Sequence, residues 1–135
     1  GGNMKQSDKL TAYYFRAAHK TDTLYLDNQM QKLLYHAGQN GIAAFALYAD
    51  NGFSGLNFDR PALALMQQDM NDGRIGKIVV TSLDRISRNC KDVMTFADYA
   101  ASMDILMEAI NGDHATLDWS RQVYVALAAK GGECR

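Results

Sequence analysis

Apolar runs of strand length alternate along this chain with longer segments whose apolar positions recur every three or four residues. TAYYFRA at 11–17 is short and aromatic, the pattern of a buried strand. DNQMQKLLYHAGQN at 27–40 sets Met30, Leu33, Leu34 and Ala37 at helical spacing, with Gly41 just beyond as a stop. AAFALYAD at 43–50 reads as a second strand. The loop NGFSGLNFDR then leads to Pro61, the only proline, which suits the first turn of a helix over PALALMQQDMNDG. KIVVTS at 77–82 is the clearest strand, KDVMTFADYAASM at 91–103 is helical in period, DILMEAI at 104–110 is a fourth strand, and 118–129 a last helix. This alternation with short connections predicts an α/β fold in three layers, a mostly parallel central sheet of four or five strands flanked by helices, because parallel neighbours need a crossover.

In open sheets of this kind, chemistry gathers outside the carboxyl ends of the strands. The first strand ends in Arg16-Ala17-Ala18, the second in Asp50 and the third in Ser82-Leu83-Asp84-Arg85. Charges where strands emerge into solvent are ordinary. Arg16 differs, because it lies within an apolar strand, and a buried guanidinium needs a partner or a ligand. A salt bridge to Asp50 or Asp84 is the structural explanation and a bound oxyanion the functional one. In TSLDRISRN, Arg85 and Arg88 are three apart and share a face of a helical turn, while Asp84 and Arg88, four apart, can meet. Together with Arg16 and the loop residue Arg60, such a pair forms a pocket for a phosphate; an ion-paired helix surface is the plainer reading.

Composition narrows the classes. At 135 residues and 47% hydrophobic, the chain suffices for one domain with a real core. No apolar stretch approaches a membrane span and GGNMK lacks an apolar signal core, so a cytoplasmic location is expected. Gly1, Gly2 and Asn3 ahead of Met4 are expected to be the remnant of an expression tag. The net charge of −1 gives no bulk sign of a nucleic-acid partner, so the placement of the arginines matters more than the total. Cys90 and Cys134 are far apart, with no CxxC and no histidine pair, so free thiols are expected and no metal site is indicated. Met66, Met70, Met94 and Met103 read as core filler, and Tyr13 and Tyr14 as packing residues.

Four motifs in order resemble the catalytic domain of the serine site-specific recombinases, which comprise resolvases, invertases and the large integrases or transposon recombinases. YYFRAA is similar to the family's Y-x-R-x-S strand, and Gln29 in DNQMQKL to its helix glutamine. YADNGFSGLNFDRPAL is similar to the D-x-G-x-S-G loop ending in Arg-Pro, and TSLDRISRN to the L-D-R-x-x-R-N turn. The resemblance runs from Tyr14 to about Ala109, and the spelling NGFSGLNFDRP is most like that of the large, transposon-type members. It implies DNA cleavage and joining through a 5′-phosphoserine intermediate, with DNA as partner, a homodimer or synaptic homotetramer when full-length, and no metal, nucleotide or other cofactor. By resemblance Arg16, Arg85 and Arg88 hold the scissile phosphate and Arg60 approaches it from the loop. Asp84 orients the arginines or protonates the leaving 3′-oxygen, while Gln29, Asp50, Ser54 and Gly55 support the site. It further implies one catalytic domain over residues 4–135, without the family's C-terminal DNA-recognition region; HATLDWSRQVYVALAAK would begin the family's long helix, which Gly131 and Gly132 disfavour.

The match breaks at the nucleophile, where the family serine is replaced by Ala18. Positions 16 and 18 face the same way on a strand, so the pocket is expected to persist without its hydroxyl. Ser82, Ser87, Thr21, Thr23 and His19 are the available substitutes, and each has a plainer role at a strand end, a turn or a loop. The chain is therefore expected not to cleave DNA by itself. Other readings are a noncatalytic DNA-binding or synapsis-regulating paralogue, and an unrelated flavodoxin-like ligand-binding domain. Convergence of Arg16, Arg85 and Arg88 with position 18 separates the last from the rest.

Overall fold

The computed structural model describes residues 9–19, 21–52 and 60–110. In chain order these form β1 (Leu10–Ala17), α1 (Thr23–Gln39), β2 (Phe45–Asn51), α2 (Pro61–Asn71), β3 (Ile75–Val80), a 3-10 turn (Leu83–Arg85), α3 (Cys90–Ser102) and β4 (Leu106–Ala109). The sheet has the order β2-β1-β3-β4 and every pairing is parallel. Successive strand side chains alternate between its faces. Tyr13, Phe15 and Val79 pack on Leu33 and Ala37 of α1. Tyr14, Tyr48, Ile78 and Val80 pack on the other face with Leu63, Met66 and Met70 of α2 and Val93, Phe96 and Ala97 of α3. Helices thus cover both faces, the expected three layers, with four strands among the described residues.

Local chemistry explains the boundaries. Pro61 opens α2, and Gly41, at φ 63, takes the left-handed turn that follows α1. Asn89 starts α3 by accepting the Lys91 N–H at 2.9 Å. Three expectations fail. Helix α1 begins at Thr23, one turn ahead of Asp27. Strand β3 runs from Ile75 to Val80 rather than 77–82, and the chain then tightens into a three-residue 3-10 turn, so Arg85 and Arg88 share no helix face. Free thiols are also not the outcome: Cys90 is disulfide-bonded, its partner lying outside the described residues, because sequence separation says nothing of distance in space. The expected helix over 118–129 lies outside the described residues as well. No helix among the described residues is long and apolar enough to cross a membrane.

The strand order sets one further feature. From β1 the chain steps outward to β2, then returns to the other side of β1 for β3 and β4. This reversal opens a crevice between the carboxyl ends of β1 and β3. Pairing of β1 with β3 ends at Tyr13–Val79, whereas pairing with β2 continues to Ala17–Asn51. The last residues of β1 therefore overhang β3, and their main-chain groups on that side need other partners.

Candidate functional site

The overhang is closed by side chains. Gln29, on the second turn of α1 and 3% exposed, accepts the Arg16 N–H at 3.4 Å and donates to the Arg16 carbonyl at 2.7 Å. The same carbonyl accepts from Arg85 Nη1 at 2.8 Å. A primary amide has a donor and an acceptor side by side, so a glutamine here stands in for a neighbouring strand.

Arg16 is fully buried. Its Nε donates to the Arg85 carbonyl at 3.3 Å and its Nη2 to the Asp84 carbonyl at 2.9 Å. Arg60, immediately before α2 and 1% exposed, donates from Nη1 to the same Arg85 carbonyl at 2.8 Å and to Tyr14 Oη at 3.2 Å, and from Nη2 to the Ile86 carbonyl. Arg85, 6% exposed, turns back on Asp84, with Nε to Oδ1 at 3.1 Å and Nη2 to Oδ2 at 3.2 Å. The guanidiniums of Arg16 and Arg60, from β1 and the α2 entrance, are thereby drawn together on the carbonyls of residues 84–86, and that of Arg85, from the 3-10 turn, joins them through the Arg16 carbonyl.

The carboxylates complete the frame without following the anticipated Arg16 ion pair. Asp50 is the register partner of Arg16, yet its carboxylate accepts Tyr14 Oη–H at 2.7 Å and the N–H groups of Ala62 and Leu63 at 2.8 and 3.0 Å. It caps the start of α2 and, through Tyr14, reaches Arg60. Asp84 receives Arg85 and the Ser82 hydroxyl. Burial alone would raise the Asp84 carboxyl, but the hydrogen bonds from Arg85 and Ser82 and the charges of Arg85 and Arg16 outweigh it and hold it below its ordinary 3.8. Burial, followed by the charges of Arg85 and Arg60, brings Arg16 down to about 10, so it stays protonated at neutral pH. Burial lowers Arg60 as well. Burial pushes the Tyr14 phenol up; the charge of Arg60 opposes the rise and Asp50 adds to it.

Of the anticipated residues, the fold brings together Arg16, Arg60, Asp84, Arg85, Gln29 and Asp50. Ala18 lies half-buried just past the end of β1. Arg88 is exposed and outside this hydrogen-bonded set. Ser54 and Gly55 lie outside the described residues. The candidate substitutes for the missing serine are otherwise engaged or placed elsewhere. Ser82 donates to Asp84, Ser87 accepts the Asn89 N–H at 3.0 Å, Thr23 opens α1, and Thr21 and His19 are exposed in the intervening turn. Sequence reasoning missed two residues. Tyr14 reads as core packing, although it stands two before Arg16 on the same strand face. Tyr25 places its ring 5.4 Å from the Arg85 guanidinium carbon, and it is four residues before Gln29 on α1.

A fold with helices on both faces and clustered arginines at the switch between β1 and β3 defines an α/β domain with a prospective anion site. The family model described as "Resolvase, N terminal domain" matches residues 11–129, and the chain belongs to that family. A putative DNA recombinase of Bacillus subtilis (strain 168) is 30% identical over 90 residues, 67% of this chain but 17% of that protein, so the chain spans about a sixth of the length of this relative. The N-terminal catalytic domain of TP901-1 integrase superposes with a TM-score of 0.79 at 24% identity, covering 91% of this chain and 95% of that one. A resolvase family site-specific recombinase from Streptococcus pneumoniae gives 0.72 at 21% identity, over 91% and 87%. The C-terminal catalytic domain of ISC1926 TnpA, an IS607-like serine recombinase, gives 0.71 at 19%, over 89% and 79%. At these identities the structures establish the fold.

Proposed function

We propose that this chain is the catalytic domain of a DNA recombinase whose arginine cluster holds a DNA phosphodiester, and that Ala18 leaves it unable to cut. The convergence of Arg16, Arg60 and Arg85 carries the reading. Three buried guanidiniums gather here beside the carboxylates Asp50 and Asp84, and clustered, fixed cations suit an anion. Phosphoryl transfer spreads negative charge over the nonbridging oxygens, and donors fixed in place stabilise it most.

In the family reaction, a serine Oγ–P bond forms as the P–O3′ bond breaks. The serine proton passes to a base and the leaving 3′-oxygen takes up a proton. Reversal restores the phosphodiester, because bond energy is conserved in the covalent link. With alanine at 18, the first step has no nucleophile. Arg16 and Arg85 act as phosphate ligands, with Arg60 joining from the loop side and Arg88 from the exposed side. Asp84 orients Arg85, Gln29 and Asp50 fix the frame, and Ser54 and Gly55, outside the described residues, are further site candidates by resemblance. Residues 4–135 form a single catalytic domain. The full-length protein is cytoplasmic, carries a separate DNA-recognition region, and works as a dimer or synaptic tetramer.

The test is Ala18→Ser in the full-length protein, incubated with a nicked suicide DNA site. A 5′-linked protein–DNA adduct is expected, and it should vanish on adding Arg16→Ala or Arg85→Ala. Specific DNA binding with no adduct would sink the cleavage reading and favour a synapsis-regulating paralogue.

A further inference from the structure

The first turn of α1 keeps two apolar side chains in water, Leu24 at 73% and Tyr25 at 47% exposure. The core does not account for Tyr25, since the buried stripe of α1 runs through Gln29, Leu33, His36 and Ala37. Tyr25 continues that stripe one turn toward the helix start, because residues four apart share a helix face. Gln29 on this face grips the main chain of Arg16, and Tyr25 meets the guanidinium of Arg85, its ring centroid 5.4 Å from Cζ. One helix face thus reaches both arginines.

Arg85 is held at its edges by Asp84 and the Arg16 carbonyl, which occupy three of its five N–H donors. Edge contacts leave the flat faces of a guanidinium open. An aromatic ring over one face attracts the cation through its quadrupole and removes water from that side. This agrees with the 6% exposure of Arg85 in a three-residue turn near the surface.

We infer that Tyr25 is a positioning residue: its ring holds the Arg85 guanidinium against swinging toward solvent, so that its two remaining N–H donors stay aimed at the phosphate. The aim at phosphate rests on the function proposed above, whereas the grip on Arg85 does not. In the chain as it stands, the grip is read by NMR from the Arg85 Nε–H, through its ring-current shift and its exchange with solvent. Tyr25→Leu should move the resonance and speed exchange about three- to tenfold, the range of a partly desolvated cation–π contact. Tyr25→Phe should resemble the parent, and the thermal midpoint should hold in both, because the side chain is half exposed. Unchanged exchange in Tyr25→Leu overturns the inference.

In the full-length Ala18→Ser protein, Tyr25→Leu should slow adduct formation at saturating DNA by a similar factor while DNA affinity is retained, and Tyr25→Phe should restore the rate. An unaltered rate alongside faster exchange would refute the positioning role. Failure of Ala18→Ser to form adduct in any background would instead refute the proposed function, and the exchange measurement would still decide whether Tyr25 grips Arg85.

Discussion

Replacing Asp50 tests the site frame most directly. At 2% exposure this carboxylate accepts three hydrogen bonds, two from the first turn of α2 and one from Tyr14. Hydrogen bonds to a charged group contribute about 1.5–3 kcal/mol each, but three on one carboxylate do not add. Ala62 is half-buried and its freed N–H can find water, whereas Leu63 is fully buried and its N–H cannot. Asp50→Ala should therefore cost about 3–4 kcal/mol, including the lost helix cap. Asp50→Asn keeps the shape and one acceptor oxygen, so about 1–2 kcal/mol is expected. With a urea slope of roughly 2 kcal/mol/M, the alanine variant should unfold at a midpoint lower by about 1.5–2 M, the slope itself unchanged. Urea titrations followed by far-UV circular dichroism give both quantities. A loss below about 1 kcal/mol for Asp50→Ala, or an asparagine variant as damaged as the alanine one, would refute the assigned hydrogen bonds.

Gln29→Met leaves the buried Arg16 N–H without its side-chain acceptor while Arg85 still serves the carbonyl, so a loss of about 1–2 kcal/mol and a thermal midpoint roughly 5 °C lower are expected by calorimetry. Burial, then the charge of Glu108, pushes the Tyr13 phenol up to about 12. Its folded value exceeds the unfolded one, so its share of stability is complete below pH 10 and disappears as pH rises from 10 toward 12. Urea midpoints over that window should fall less steeply in Tyr13→Phe than in the parent, and equal slopes would contradict the assignment. Asp84 shifts the opposite way, held below its ordinary 3.8, so its contribution is present above that value and lost as pH falls through the folded one. The stability difference between the parent and Asp84→Asn should therefore shrink between pH 5 and pH 2; a gap that stays constant would show that Asp84 is not held by Arg85 and Ser82.

How much of this was legible depended on the range of the interactions. Apolar runs marked the four described strands, Pro61 and Gly41 bounded their helices, and the strand-end rule pointed to Arg16, Asp50 and Asp84-Arg85. The start of α1 was missed although Thr21, Asp22 and Thr23 are residue types that favour helix starts; in the structure Asp22 makes no side-chain cap hydrogen bond. Arg85 and Arg88 looked like one face only under helical spacing, and the 3-10 turn ends before Arg88. Tyr14 looked like packing because its hydroxyl partners lie 36 and 46 residues away. The acceptors that gather Arg16 and Arg60 were invisible for a different reason: they are mostly main-chain carbonyls, which every residue carries alike. The chain formed by Tyr13 Oη, His36, Glu108 and Lys77 likewise joins four separate elements, at 2.9, 2.6 and 2.6 Å, with no local pattern to reveal it.

The overhang of β1 past β3 makes the site a seam in the sheet, stitched by a glutamine and an arginine in place of backbone. Strand pairs part only by breaking a cooperative ladder, whereas stitches of this kind loosen one at a time by rotation about side-chain bonds. Such rotations are far faster than strand separation. The end of β1 can therefore change hydrogen-bond partners while the sheet beneath it stays intact, a sheet margin that is rigid in position and exchangeable in its contacts.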